Sequence, residues 1–253
     1  MTGVLPVALM EARRVIQPLL LAGKEYVGVM RLHSEVPEKR LRGIFGEFEG
    51  RVYQKPPLRS SVKRVVRIRT IYHLDFLEME GRNVLFRVAC QAGTYIRKLC
   101  HDIGEALGCG AHMKELRRVR AGPLTEDKDS VTLHEIVYFN SRWKERGDEE
   151  ALRSFIIPME RALELTPKIY IRDSAVDAIC HGANLTAPGA VYFESGIKRD
   201  DQVAIMTLKG EAVALAKALV SSEDMLKLDK GFLAKTIRVL MPRGVYPRMW
   251  RSQ

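Results

Sequence analysis

The chain has 253 residues, and its 41 Lys and Arg residues against 31 Asp and Glu residues give a formal net charge of +10. A chain of this length can bury the core of one large domain or of two modest ones, and its charge favours a polyanionic partner such as nucleic acid, although some basic enzymes have none. It holds no run of about 18 apolar residues, so we expect no membrane span, and Met1 is not followed by a secretory-signal pattern.

Apolar periodicity and turn residues predict the elements of the first two thirds of the chain. The predicted helices cover residues 7–20, a short stretch that begins at Pro37, and residues 94–107 and 111–119. The predicted strands cover residues 24–32, 65–77 and 84–90, with a turn at 81–83. Gly108 follows the third helix directly, where glycine commonly ends a helix.

The composition of the chain changes at Thr166-Pro167. Before this point, residues 141–165 are charged and predicted to be helical. After it, short apolar runs alternate with glycine, which predicts a strand at 168–171, a short helix at 174–180 and a hairpin of 202–208 with 212–219 around Lys209-Gly210. We therefore predict two domains, residues 1–166 and residues 167–253.

The cysteines show neither CxxC spacing nor the density of a disulfide framework, so we expect free thiols and a cytoplasmic protein. They are Cys90, Cys100, Cys109 and Cys180. Cys100 and His101 lie close in sequence to Cys109 and His112, but a predicted helix separates the two pairs. Zinc sites usually place two ligands on one tight turn and two further along, so we predict no metal site.

A basic stretch at residues 55–69 combines Pro56-Pro57 and two serines with six Lys and Arg residues. Such a sequence cannot bury itself at low cost in free energy. One interpretation is a solvated charged loop. The other, which we favour, is a clamp on an RNA backbone, where cations position the nucleic acid.

The most informative motifs lie between Gly93 and Arg118: GTYIR at residues 93–97, GCGAH at 108–112 and LRR at 116–118. In this order they resemble the signature of the TruB/dyskerin family of pseudouridine synthases. Lys24-Glu25-Tyr26 resembles that family's KxY strand, and residues 55–64 resemble its PPxxSAxK segment in the archaeal and eukaryotic form. Residues 181–185 and Pro188-Gly189 resemble a PUA domain, so the resemblance covers essentially the whole chain.

The resemblance implies an α+β fold: a mixed-sheet pseudouridine synthase catalytic domain, incomplete at its N-terminus, followed by a small β-rich PUA domain. It implies an isomerase that converts uridine to pseudouridine in rRNA or tRNA without a metal or organic cofactor. The implied partners are guide RNA, rRNA, tRNA and the accessory proteins of an H/ACA particle. Guide-free action on the transfer-RNA T-loop is a second implied mode.

The candidate pocket residues are Tyr26, Tyr95, Arg97 and Leu116. An arginine one turn into a helix can clamp a carboxylate bidentately, although most helical arginines are surface residues. Either tyrosine offers a flat face to a flipped base, although a lone tyrosine is more often a core residue. The resemblance implies that Tyr26 stacks on the target base, that Arg97 pairs with the catalytic aspartate, and that Tyr95 and Leu116 line the pocket.

The candidate RNA contacts are cationic, and they come from the KxY strand, the basic stretch and the LRR motif. We predict them to be Lys24, Arg59, Lys63, Arg64, Arg67, Arg117 and Arg118. Arg117, Arg118 and Arg120 are expected to extend a single basic face.

The family's nucleophile is the aspartate of a GTLDP motif, which a V-[ST]-GVLPVAL segment follows within a few residues. Residues 1–9 read MTGVLPVAL and begin inside that segment, while Asp75 and Asp102 occupy other positions of the pattern. Removing one partner of a buried ion pair costs about 3–5 kcal/mol, so the retention of Arg97, which we expect to be buried, indicates a site shaped around an aspartate. We expect the natural protein to extend upstream, with Met1 read from an internal GTG codon; the alternatives are a gene fragment and a catalytically inactive RNA-binding or scaffold protein.

We predict that the 253-residue chain forms no pseudouridine, because none of its residues is placed to replace the missing nucleophile. The purified chain would be incubated with guide RNA, accessory proteins and a uridine substrate, and pseudouridine would be quantified. Turnover above the no-enzyme background would contradict this prediction.

Overall fold

The computed structural model describes residues 1–56, Lys63 and residues 65–249. Two of the predicted RNA contacts, Arg59 and Arg64, lie outside the described residues. The chain forms two compact units. The first unit comprises Met1–Val7 and Leu20–Ile156, and the second comprises Ala8–Leu19 and Ile157–Gln253. This division differs from the predicted boundary at residue 166, because Val15 is buried in one apolar cluster with Leu163 and Leu240 of the second unit.

A mixed sheet forms the centre of the first unit. Within the described residues its strands are β1 (Thr2–Gly3), β2 (Lys24–Leu32), β3 (Gly50–Gln54), β4 (Arg67–Glu80), β5 (Asn83–Cys90), β6 (Ala111–Ala121) and β7 (Leu124–Thr125). Their order is β1-β6-β2-β5-β4-β3, with β7 paired to β6. β1 runs parallel to β6, whereas the other neighbours are antiparallel.

The helices that follow along the chain begin with a 3-10 turn at Met10–Val15. They are α1 (Ile16–Leu21), α2 (Glu38–Glu47), α3 (Ile96–Ala106), α4 (Glu126–Asp129), α5 (Leu133–Arg146) and α6 (Glu150–Arg153). In the first unit, buried side chains of α2 and α3 pack on one face of the sheet. Leu41 and Phe45 come from α2, Leu99 and Ile103 from α3, and they meet Phe86 of β5 in the same core cluster.

A second sheet and two short helices form the second unit. Within its described residues the strands are β8 (Lys168–Ile171), β9 (Leu185–Thr186), β10 (Ala190–Phe193), β11 (Gln202–Thr207), β12 (Ala212–Ala218) and β13 (Phe232–Val239). The strand order is β10-β8-β11-β12-β13-β9, and β8 runs parallel to β11. The remaining elements are α7 (Asp173–Cys180), α8 (Ser222–Met225) and 3-10 turns at Met159–Leu163 and Ala187–Gly189.

Most of the predicted elements are confirmed. β2 has the predicted bounds, α2 follows Pro37, and α3 lies within the predicted helix. β4 and β5 form the predicted pair about the turn at 81–83, and β11 and β12 form the predicted hairpin about Gly210. These elements were predictable because their apolar spacing and their turn residues are local properties of the chain.

The predicted helix at residues 111–119 is wrong, because this segment is strand β6. Its alternation of polar and apolar residues is weak, and its Glu, Arg and Lys content favours a helix locally. Pairing overrides that preference, since β6 hydrogen-bonds along the whole of β2 and also to β1. A strand directs Arg117 and Arg118 to opposite sides, which a helix would not.

Two further predicted helices have different bounds. The first is a 3-10 turn at Met10–Val15 followed by α1 (Ile16–Leu21). Residues 141–165 hold the end of α5, then α6 and a 3-10 turn, and not one continuous helix. Instead α5 starts earlier, where Thr132 and Glu135 form a capping box, and it ends at Gly147, whose φ of 70° is left-handed. Glycine adopts that conformation at little cost, so it ends the helix before residue 148.

Gly104 allows α3 to approach the start of β6 closely. A Cβ built on it would lie 2.1 Å from the backbone nitrogen of Ala111. The Gly104 carbonyl accepts hydrogen bonds from the backbone N–H groups of Cys109 and Gly110, at 3.2 and 2.9 Å. The helix and the strand that carry the site residues are therefore joined by a turn with no room for a side chain at position 104.

We predict that Gly104→Ala lowers the free energy of unfolding by about 3 kcal/mol, because the added methyl overlaps backbone atoms that cannot move independently. Gly43→Ala in α2 is the matched control: that glycine is exposed and its Cβ would meet nothing within 4 Å. There we expect a gain of up to about 1 kcal/mol from helix propensity. Urea denaturation measures both, and equal effects of the two substitutions would contradict the close approach.

Candidate active site

One end of the first sheet brings together residues that are distant in sequence. Lys24 starts β2 and pairs with Cys90, which ends β5, and with Ala121, which ends β6. Ile71, near the start of β4, also pairs with Cys90. Because these neighbours are antiparallel, the starts of β2 and β4 meet the ends of β5 and β6. Tyr26 and Arg118 lie at this end, and the turn after β5 leads directly to Tyr95 and Arg97 at the start of α3.

Tyr26 lies half-buried on β2, between Val88 of β5 and Arg118 of β6. Burial raises the pKa of its phenol, the Cys90 thiol adds to the rise, and the charge and hydrogen bond of Arg118 oppose it. The phenol therefore stays protonated at neutral pH. Its ring packs at the margin of the core cluster, which gives a fixed apolar face with a polar tip.

Leu116 belongs to the cluster of side chains against which Tyr26 packs. It lies opposite Gly28 in the register of β6 with β2. A Cβ on Gly28 would lie 2.8 Å from Cζ of Phe86 and 3.0 Å from Cδ1 of Leu116. The glycine thus provides the space that Leu116 occupies, and the structure brings together the two predicted pocket residues on β2 and β6.

The GTYIR turn is fixed to β4 by hydrogen bonds around Gln91. The backbone N–H and Oγ1 of Thr94 both donate to the Gln91 carbonyl, at 3.2 and 2.7 Å. The Thr70 backbone N–H donates to Oε1 of Gln91 at 3.1 Å, and the Gln91 N–H donates to the Thr70 carbonyl at 2.8 Å. Gly93, with a φ of 79°, makes the bend that these contacts require.

Gln54, which the sequence analysis missed, positions Tyr95. Its side chain is 2% exposed at the end of β3. The Tyr95 backbone N–H donates to Oε1 of Gln54 at 2.9 Å, and Nε2 of Gln54 donates to the Tyr95 carbonyl at 3.2 Å. A glutamine directly before the Lys55-Pro56-Pro57 motif was the available signal, but only the fold shows that it reaches a backbone 41 residues away.

Arg97 is exposed, so the expectation that it is buried is wrong for this structure. The buried face of α3 is formed by Ile96, Leu99, Cys100 and Ile103. Arg97 follows Ile96 by one residue, which rotates it about 100° away from that face. No ion pair joins Arg97 to another residue that the structure describes.

The cations at this end differ in their surroundings. Nζ of Lys24 donates to the carbonyls of Leu20 and Ala22 at 2.6 and 2.7 Å, and burial, followed by the charge of Arg118, lowers its pKa. Nε of Arg118 donates to the Val4 carbonyl at 2.6 Å. These two cations therefore lie beside Tyr26 in partly buried positions.

Arg117 and Arg120 are paired with carboxylates instead. Arg117 binds Glu126 of α4 with an Nε–Oε2 distance of 3.0 Å, and Glu126 raises the pKa of its guanidinium. Arg120 binds Glu25 at 3.0 Å. Strand alternation places Arg117 and Arg118 on opposite sides of β6, and Arg117 and Arg120, unlike Arg118, each pair with a carboxylate.

The cysteines of the first unit include two buried thiols. Burial raises the pKa of Cys90 to about 11 and that of Cys100 to about 12.

Across the described ranges, no group of three or more His, Cys, Asp or Glu side chains is placed to hold a metal ion. In the same ranges, every helix is too short or too polar to cross a bilayer.

We predict that Gln54→Leu lowers the free energy of unfolding by about 2 kcal/mol, because it removes the side-chain acceptor of the Tyr95 N–H and one of the two donors to the Tyr95 carbonyl, which keeps its hydrogen bond from the Leu99 N–H. Gln17→Leu, on an exposed position of α1, is the matched control and should change stability by less than about 0.5 kcal/mol. Hydrogen exchange at the Tyr95 amide should accelerate in the Gln54 variant only. Equal stability of the two variants would show that the hydrogen bonds between Gln54 and Tyr95 contribute nothing to the free energy of unfolding.

Three family models match the chain in series. They are TruB family pseudouridylate synthase (N terminal domain) at residues 1–96, tRNA pseudouridylate synthase B C-terminal domain at 97–164, and PUA domain at 167–240. The predicted fold class, a mixed-sheet catalytic domain followed by a PUA domain, is confirmed.

The chain is also similar to named proteins and to solved structures. It is 59% identical to the probable tRNA pseudouridine synthase B of Methanopyrus kandleri, over 98% of this chain and 73% of that protein, and 57% identical to the Pyrococcus abyssi protein of the same name, over 98% and 75%. A crystal structure of a Cbf5-Nop10-Gar1 complex matches with a TM-score of 0.94 and 56% identity, over 97% of this chain and 75% of that chain. An H/ACA RNP bound to a substrate RNA containing 2'-deoxyuridine matches at 0.92 and 52%, over 98% and 75%. The chain therefore belongs to the TruB family of pseudouridine synthases, which are isomerases.

Proposed function

We propose that this protein isomerises uridine to pseudouridine in rRNA or tRNA as the catalytic subunit of an RNA-guided H/ACA particle. Two similar structures are described as a Cbf5-Nop10-Gar1 complex and as an H/ACA RNP with substrate RNA, and the relatives are named tRNA pseudouridine synthases. The partners are guide RNA, substrate RNA and small accessory proteins, and the compartment is the cytoplasm. The observation that carries the proposal is the placement of Tyr26 at the end of the sheet from which the Tyr95–Arg97 turn, hydrogen-bonded to Gln54, begins.

The target base must leave its stack before the enzyme can act on it, and the pocket must replace the lost stacking. The half-buried ring of Tyr26 offers a stacking face, while Leu116 and Tyr95 line the pocket around it. The hydrogen bonds from Gln54 fix Tyr95 before RNA arrives. Little reorganisation is then needed on binding, which is how a preorganised site favours its reaction.

We assign Arg97 the role of pairing with the family's catalytic aspartate, a residue that the 253-residue chain does not supply. Its exposed guanidinium at the start of α3 can accept a carboxylate in a bidentate ion pair. In the reaction, the family's aspartate attacks the nucleotide and the bond from the ribose to N1 of uracil breaks. The base then rotates and its C5 bonds to the ribose carbon as the aspartate is released, after which the C5 proton is lost and N1 regains one.

Cations at the same end of the sheet bind the RNA backbone. Lys63 and Arg67 belong to the basic stretch, and Lys24 and Arg118 lie beside Tyr26. The net charge of +10 supports a polyanionic partner. Arg117 enters the interface only if RNA competes with its carboxylate partner, Glu126.

The alternative is a catalytically inactive RNA-binding or scaffold protein. It is favoured by one observation: among the described residues, Arg97 has no carboxylate partner. The two functions share RNA binding and differ in turnover. Recognition of the target base by Tyr26 is expected for the enzyme, and a scaffold has no need of it.

We predict that the protein binds a transfer-RNA T-arm hairpin with uridine at the target position about tenfold more tightly than the same hairpin with an abasic site there, because base–aromatic stacking is worth roughly 1–3 kcal/mol. Tyr26→Ala should remove this preference and Tyr26→Phe should keep it. Fluorescence anisotropy would measure affinity, with and without guide RNA and accessory proteins.

Tyr53→Ala is the matched control, since that tyrosine lies on β3 with its side chain 70% exposed. It should leave the preference intact. A Tyr26→Ala protein that still distinguishes uridine from the abasic site would place the base elsewhere. A wild-type protein that binds both hairpins equally in every mixture would favour the scaffold.

A further inference from the structure

An open depression of about 280 Å³ lies on the second unit, where the 3-10 turn at Met10–Val15 meets the end of β13. Its lining consists of Met10, Glu11, Arg13, Arg14 and Arg238, and all five residues belong to the second unit. Three guanidinium groups against one carboxylate give the lining a formal charge of +2. The depression is therefore a positively charged space in a different unit from the candidate active site.

Arg14 fixes the turn to β13. Its Nη1 donates to the Val239 carbonyl at 3.1 Å, and its Nη2 lies 2.7 Å from Oε2 of Glu11. The next residue, Val15, is buried in one apolar cluster with Leu240. The backbone of the turn is thus held in place before any ligand binds, and the charge of Glu11 is already compensated by Arg14.

Arg13 and Arg238 differ from Arg14 in their surroundings. Both side chains are exposed, and no described residue forms an ion pair with either of them. Nε of Arg13 donates to the Met10 carbonyl at 2.9 Å, which leaves its two Nη groups for an acceptor from outside the chain. Because two uncompensated cations border one space, the local potential favours an anion there.

We propose that Arg13 and Arg238 form a subsite on the second unit for one backbone phosphate of the RNA. Guanidinium groups bind phosphate oxygens through charge-assisted hydrogen bonds, and the exposure of both side chains lets an RNA strand reach them. Arg13 lies on the turn that Arg14 anchors, so its guanidinium extends from a fixed backbone. The inference deepens the proposed function and rests on it, since the ligand is the RNA of the same particle.

A phosphate subsite holds RNA without reading its sequence, because the backbone is the same at every nucleotide. Selection of uridine stays with Tyr26 and its neighbours in the first unit. The subsite should therefore add the same affinity to an RNA with uridine at the target position and to one with an abasic site there.

Free inorganic phosphate offers the same oxygens, so the test uses two probes. The first is a guide RNA, with the accessory proteins present, whose affinity is measured by fluorescence anisotropy over a series of salt concentrations. The second is inorganic phosphate, which is titrated into isotope-labelled protein while NMR follows the Nε–Hε signals of the arginine side chains.

Arg13→Gln and Arg238→Gln should each weaken guide RNA binding about threefold, as expected for losing an exposed charge pair. The double variant should reduce the slope of log affinity against log salt by about 0.7–0.9, the value for a single phosphate contact. Its loss of affinity should be smaller than the product of the two single losses, because both side chains hold the same phosphate. Arg199→Gln is the matched control: Arg199 is an exposed arginine of the same unit outside the depression, and its substitution should change neither quantity.

Three results would overturn the subsite. If the slope falls by about twice the single-contact value and the losses multiply, the two arginines bind separate phosphates. If the double variant binds guide RNA as the wild type does, RNA does not reach the depression. If inorganic phosphate shifts the signals of Arg13 and Arg238 while their substitution leaves RNA binding unchanged, the depression takes a free anion only.

The preference for the uridine hairpin over the abasic hairpin keeps this test separate from that of the proposed function. The double variant should retain the preference and lose affinity for both hairpins by the same factor. A wild-type protein that binds no guide RNA in any mixture would overturn the proposed function itself, whereas RNA binding unaffected by Arg13 and Arg238 overturns the subsite alone.

Discussion

The site depends on the pairing of β2 with β5 on one side and β6 on the other. This pairing places Lys24 beside both Cys90 and Ala121. Three segments, of which the first and the last lie almost 100 residues apart in the chain, therefore meet at one end of the sheet. The KxY strand, the GTYIR turn and the LRR motif have no shared function until that register is set. A slip of one residue along β2 would turn Tyr26 to the opposite face of the sheet, away from the core cluster and from Arg118.

Glycines at close approaches make the same arrangement compact. Gly28 leaves room for Leu116, Gly104 lets α3 meet the start of β6, and Gly93 lets the guanidinium of Arg69 pack against the GTYIR turn. At each position the space is filled by the protein itself, as in any well-packed core.

Some of the arginines at this end of the sheet form ion pairs with carboxylates of neighbouring elements, and others do not. Glu126 and Glu25 pair with Arg117 and Arg120, whereas among the described residues Arg69 and Arg97 have no carboxylate partner. A high net charge is therefore a poor guide to which arginines meet RNA. The tertiary structure selects them by what lies opposite, because a cation already paired with a carboxylate gains less from a phosphate.

The sequence by itself determined the family, the order of the domains and most of the elements, because motifs, turn residues and apolar spacing are local. It also identified Tyr26, Tyr95, Arg97 and Leu116 as candidates through the family resemblance. Only the tertiary structure decided that residues 111–119 form a strand, since the pairing partner lies about 85 residues earlier and outweighs the local helix preference. It alone showed the exposure of Arg97 and the hydrogen bonds between Gln54 and Tyr95, because both depend on the packing of residues that no local pattern connects.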